Sequence, residues 1–121
     1  MEVVMKKLFL IILCITLLVG CSSSGGTISY VKAKEKMINE GAILVDVRTQ
    51  EEYDESHIEG AILLPVDDIN EKSVTEFVGN KETTIIVYCK SGKRSAQAYQ
   101  ELKELGYKNT YDLGAMSNWK E

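Results

Sequence analysis

TTIIVYCKSGKRSAQAYQELKELG, residues 83–106, sets an apolar run, a loop and an amphipathic stretch in direct succession. Residues 83–88 are dominated by β-branched and aromatic side chains. That is the pattern of a strand buried on both faces of a parallel sheet. After the loop, apolar residues at 96, 98, 99, 102 and 105 fall on one face of a three-turn helix. Gly106 ends it, as glycine commonly does past a helix terminus. Ser95 has the chemistry of an N-cap, so the helix is expected to begin there. In open sheets built from such units, sites form at the carboxyl ends of strands, and Cys89 stands at such an end.

The flanking sequence repeats the unit. Residues 27–30 read as a short edge strand, and residues 31–40 as a helix with apolar positions at 31, 33, 37 and 38, stopped by Gly41. AILVDV, residues 42–47, is a second strand buried on both faces. Thr49 is placed to cap a short helix, QEEYDES, with Glu51 and Glu52 in its electropositive first turn. Residues 57–60 form a turn and residues 61–65 a third strand. Residues 67–80 hold one or two short helices, the surer at VTEFVGN. Residues 109–113 are the last strand, and residues 116–120 a final helical turn carrying Trp119. Strands alternating with helices predict an α/β fold: a three-layer sandwich with a parallel sheet of about five strands and helices on both faces.

The N-terminus, MEVVMKKLFLIILCITLLVGC, is a different kind of segment. Lys6 and Lys7 precede a twelve-residue apolar run broken only by Thr16. A membrane span needs ~20 such residues, so this is an export signal in form. Leu18-Val19-Gly20-Cys21 resembles the lipobox of bacterial lipoproteins, in which the peptide is cut before the cysteine and the cysteine carries lipid. The resemblance implies a signal peptide over residues 1–20, a lipidated Cys21 with a Ser/Gly linker to residue 26, and a folded domain over residues 27–121. Two or more acyl chains anchor a protein stably. The expected place is therefore the extracytoplasmic face of the cell membrane.

Without residues 1–20 the chain keeps twelve basic and seventeen acidic residues, a net charge of −5. No basic stripe remains, which argues against nucleic acid as a partner. The 95 residues of the expected domain, 27–121, suffice for one domain, and a monomer is expected. Of the three cysteines, Cys14 leaves with the leader and Cys21 is blocked, so Cys89 alone is free. An odd cysteine in an exported chain points to intermolecular pairing or a reactive thiol.

The thiolate is the reactive form, and a helix N-terminus and nearby cations favour it. The following helix, with Lys90, Lys93 and Arg94, supplies both. Gly92 lets the backbone curl so that successive N–H groups can aim inward as an anion-binding nest. The loop is therefore expected to hold an ionised sulfur where water and small oxyanions reach it. A role as a small core residue would leave the adjacent glycine and cations unexplained.

With these residues in view, the chain resembles the rhodanese-like family over residues 27–121. The resemblance rests on DVRTQEEYDESHIEGAILLP (residues 46–65), CKSGKRS (residues 89–95) and GYKNTYDLGAMSNW (residues 106–119). It implies a sulfurtransferase. Cys89 would attack the outer sulfur of a small anionic donor such as thiosulfate, and the resulting persulfide would pass its sulfur to a thiol or cyanide. Lys90, Ser91, Gly92, Lys93 and Arg94 would bind the donor, with Arg94 as its clamp. Asp46 and Arg48 would buttress the loop. His57 reads as a hydrogen-bonding brace and Trp119 as a core residue. With one histidine in the chain a zinc or iron site is not expected, and no cofactor is implied. Ser56, Leu63 and Gly114-Ala115 depart from the family pattern, but none of them touches the nucleophile.

Three rivals define what the chemistry must exclude. Cysteine phosphatases and arsenate reductases place five residues between cysteine and arginine, whereas four separate Cys89 from Arg94. The shorter loop suits sulfur better than a tetrahedral phosphoryl group. A thiol–disulfide oxidoreductase would want a second nearby cysteine. A non-turnover sulfur carrier or interaction module differs in handing sulfur only to a specific partner.

Overall fold

A computed structural model describes residues 25–121. Five strands, β1 (Gly26–Thr27), β2 (Ile43–Asp46), β3 (Ile62–Leu63), β4 (Ile85–Cys89) and β5 (Thr110–Ala115), form one parallel sheet in the order β1-β5-β4-β2-β3. Between them lie helices α1 (Tyr30–Asn39), α2 (Gln50–Glu55), α3 (Glu71–Phe77) and α4 (Lys93–Glu104). Two 3₁₀ turns, Val66–Asp68 and Met116–Asn118, complete the chain. The α/β sandwich expected from the sequence is the fold found. The proposed signal peptide, Cys14 and Cys21 lie outside the described residues.

The sheet divides two cores, and β4 shows how. Side chains alternate across a strand, so Ile85, Val87 and Cys89 join one apolar cluster while Ile86 and Tyr88 join the other. All five are fully buried, as a central parallel strand requires. The first cluster includes Val74 of α3 and Ala98 and Leu102 of α4. The second takes Ala33 and, at its edge, Met37 of α1. The register of β4 against β5 shifts between Val87, opposite Asp112, and Tyr88, opposite Gly114. This leaves Leu113 as the extra residue of a bulge. Gly114 has φ +84° there, and its N–H donates to Asp112 Oδ1 at 2.8 Å. Bulges sharpen twist and redirect the strand beyond them, and this one lies beside the end of β4.

Element boundaries differ from the sequence reading where caps decide them. The edge strand expected at residues 27–30 pairs at Gly26 and Thr27 instead. Ser29 accepts a hydrogen bond from the Lys32 N–H at 3.3 Å and draws Tyr30 into α1. In residues 67–80 the regular helix is Glu71–Phe77, three residues ahead of the expected segment. There Asn70 and Ser73 form a reciprocal capping box. Most consequentially, α4 begins at Lys93, capped by Gly92 rather than Ser95. Trp119 is partly buried, packed edge-on to Tyr30 with ring centroids 4.8 Å apart at the margin of the second cluster.

Candidate active site

Cys89 ends β4 with its side chain on the α4 face, and its sulfur is the focus of the turn between β4 and α4. Gly92 takes φ +98°. That region is strained for residues with a Cβ, whereas a Cβ here would meet only ordinary contacts at 3.7 Å or more. Conformation, not space, therefore demands glycine. The turn brings the Gly92 N–H to 3.0 Å and the Ser95 N–H to 3.3 Å from Cys89 Sγ. Both belong to the unpaired donors at the N-terminus of the twelve-residue α4. Ser95, expected to cap the helix, instead sits buried in its first turn. Its hydroxyl donates to the Gly92 carbonyl at 3.0 Å and its backbone serves the sulfur. Cys89 is fully buried. This corrects the expectation that water and small oxyanions reach the sulfur directly. It packs in the same cluster as Val47 and Val66, and those two residues also line a surface hollow of about 120 Å³.

The hollow is completed by Arg48, Thr49, Pro65, Asp67 and Arg94. The other side chains expected to cradle a donor do not line it: Lys90 and Ser91 are exposed on the turn, and Lys93 is exposed at the start of α4. Arg94 does line it, but its guanidinium is engaged. Nη1 and Nη2 donate to Glu52 Oε1 and Oε2 at 2.6 and 3.0 Å, a bidentate pair joining α4 to α2. Glu52 also closes the capping box of α2. The Thr49 N–H and hydroxyl donate to Oε1 at 3.3 and 3.2 Å, and the Glu52 N–H donates to Thr49 Oγ1 at 3.2 Å. The Arg94 guanidinium holds the Glu52 carboxyl down at about 2, the cap hydrogen bonds assisting.

Asp46 and Arg48 form the deeper layer. Asp46 is fully buried at the end of β2, one strand from Cys89. It accepts from the Arg48 N–H at 2.9 Å, from Arg48 Nε at 3.0 Å and Nη2 at 2.7 Å, and from the Tyr88 hydroxyl at 2.8 Å. Arg48 Nη2 also donates to the Ser56 carbonyl at 2.6 Å, so Ser56, which departs from the family pattern, contributes through its backbone. Tyr88 receives the Ile58 N–H at 3.1 Å. Burial pushes the Tyr88 phenol well above its ordinary range, so the hydroxyl stays a donor to Asp46. These bonds tie β2, β4 and the turn before β3 together at the carboxyl ends of the strands, on the face of the sheet that carries Tyr88 and not Cys89. His57 stacks on Tyr53 with ring centroids 3.7 Å apart, and its Nδ1 lies 2.8 Å from the Tyr53 carbonyl. It braces the turn.

Three contributors escape a reading of the sequence. The Ser95 backbone is hidden when its side chain is taken for the cap. Tyr88 reads only as strand. Glu52 reads only as favourable charge in a first turn, although Thr-x-x-Glu at a helix start is a recognisable capping box.

The chain is similar to proteins of known kind. A family model described as the rhodanese-like domain matches residues 30–121. The thiosulfate sulfurtransferase PspE of Escherichia coli K12 is 36% identical over 74 residues, 61% of this chain and 70% of that protein. The thiosulfate sulfurtransferase GlpE of Coxiella burnetii is 35% identical over 94 residues, 77% of this chain and 85% of that protein. Among solved structures, a rhodanese with anions from E. coli superposes with a TM-score of 0.59 at 35% identity, covering 64% of this chain and 89% of that one. With a family match over residues 30–121, most of its length, this chain belongs to the rhodanese-like domain family.

Proposed function

We propose that this chain, a sulfurtransferase of the rhodanese type, moves sulfane sulfur from thiosulfate or a similar anionic donor to a thiol or cyanide through a persulfide on Cys89. The observation that carries the reading is the pair of backbone N–H groups, from Gly92 and Ser95, aimed at Cys89 Sγ from the N-terminus of α4. Such donors favour a sulfur anion over a neutral thiol. In the first step the thiolate attacks the outer sulfur of thiosulfate. A new S–S bond forms, and the old one breaks with its electron pair on the departing sulfite. In the second step the acceptor attacks the terminal sulfur, and the electron pair of the broken bond returns to Cys89. Preorganised N–H groups at the turn stabilise the negative sulfur in both steps, in the manner of an oxyanion hole. Arg94, on the wall of the hollow, would receive the donor's oxygens. The sulfur is fully covered at rest, so loading requires the residues that cover it to move.

Intact mass spectrometry of the purified protein after thiosulfate treatment tests this reading. One added sulfur atom is expected, and none in Cys89→Ser. The absence of an adduct from every sulfane donor tried would overturn it. The proposal extends to place: lipid on Cys21 would hold the domain at the extracytoplasmic face of the cell membrane, the reading supported by the sequence of residues 1–21.

A further inference from the structure

The 120 Å³ hollow is lined by two arginines, Arg48 and Arg94, and by one acidic side chain, Asp67. Both guanidinium groups are already answered within the chain. Asp46 holds Arg48 and is fully buried. Moving it would strand Arg48 and the Tyr88 hydroxyl, and leaving buried donors unpaired is strongly unfavourable. Glu52 is different. Its side chain keeps 25% of its exposure, so on leaving Arg94 it turns into water and is hydrated. A part-exposed pair of this kind contributes little net free energy. Of the two forks, only that of Arg94 can be surrendered to an incoming anion. Its two parallel N–H···O bonds suit any planar or tetrahedral oxyanion edge as well as a carboxylate.

We infer that Glu52 is a built-in competitor of the anionic donor, occupying the Arg94 fork at rest and yielding it on binding. It is thereby a specificity-determining residue that sets how strongly the site selects anions. The inference rests on the sulfur-transfer reading, since it needs an anionic donor bound for Cys89. Electrostatics around the hollow agree with it. The two arginines repel each other, and Glu52 stabilises the charge of both. Removing its carboxylate leaves the Arg94 charge unanswered at the hollow, while Arg48 stays paired with Asp46, and this favours an anionic over a neutral donor. The competitor is always present near neutrality, because Arg94 holds the Glu52 carboxyl down at about 2.

The test compares wild type, Glu52→Gln and Glu52→Ala by two rates at Cys89. One is sulfur loading by dilute thiosulfate, followed by intact mass. The other is alkylation by neutral iodoacetamide. Their ratio cancels changes in the exposure or ionisation of the thiol. Glutamine retains the capping box with Thr49. Alanine loses it yet equally frees Arg94, so both must move the ratio the same way. The expected result is a ratio raised by about 1.5- to 5-fold, the factor that a part-exposed ion pair represents. In an Arg94→Met background, where no fork remains, Glu52→Gln must leave the ratio unchanged. A ratio unchanged or lowered in both single variants, with wild-type melting curves for Glu52→Gln, would make Glu52 a brace and overturn the inference. Wild-type protein that takes up no sulfur would sink the sulfur-transfer reading itself. Normal uptake with a flat ratio would sink this inference alone.

Discussion

Gly92 and Asp46 carry more of the site than their size suggests. Gly92 is where the chain must take φ +98° for its own N–H and that of Ser95 to meet the sulfur. Gly92→Ala is expected to lower stability by about 1–2 kcal/mol, the cost of a left-handed backbone with a Cβ. It should also slow sulfur loading, because the strain is relieved by turning those amides away. Urea denaturation and the mass adduct measured on one sample check both. Asp46→Ala leaves the Arg48 charge and the Tyr88 hydroxyl buried without their partner. Breaking a buried pair in this way costs about 3–5 kcal/mol, and denaturation should show a loss of that size. Cys89 itself is legible in the sequence, since core packing gives no reason for a thiol at a strand end to be followed by glycine and cations. Its complete burial is not legible. It comes from residues that only the fold brings together: Val47 just past β2 and Val66 of a 3₁₀ turn share its core cluster.

The elements are legible in proportion to how local their causes are. Strands β2 and β4 stand in the sequence as apolar runs, and α2 begins where Thr49 caps it. The start of α4 is misplaced by a reading of side chains because Gly92 caps it by conformation, with no side-chain hydrogen bond to advertise it. The tie between α2 and α4 cannot be read at all, because Glu52 and Arg94 lie 42 residues apart. That tie has a pH signature. The Glu52 carboxyl is lowered to about 2 in the folded chain, against an unfolded value of about 4.3. A depressed carboxyl stabilises the fold above its unfolded value, and the contribution fades as pH falls through the folded one. Stability should therefore decline between roughly pH 4.5 and 2, less steeply in Glu52→Gln. Thermal melts of the two proteins across that window measure the difference, which is modest because the pair is partly solvated. Equal slopes would mean that the ion pair is not formed in solution.

On the scale of the whole molecule, one domain of parallel sheet and helices places Cys89, the one free thiol among the described residues, at the carboxyl end of its central strand, and the N-terminal sequence proposes where that domain works. If Cys21 carries lipid, cells given labelled palmitate should incorporate label into the wild-type chain and not into Cys21→Ser. The variant should leave the membrane fraction while keeping sulfur uptake unchanged. Label in both, or a variant still bound to membranes, would remove the anchor from the account without touching the chemistry. The chemistry stands on Cys89 alternately taking and releasing one sulfur atom, and the direct measurement tracks that atom. Thiosulfate radiolabelled at its outer sulfur is given to the protein, the excess is removed, and cyanide is added. Label is expected to bind the wild type and then to be released as thiocyanate on a single turnover, with neither step in Cys89→Ser. Label that never binds, or thiocyanate formed equally well by the serine variant, would contradict a persulfide on Cys89.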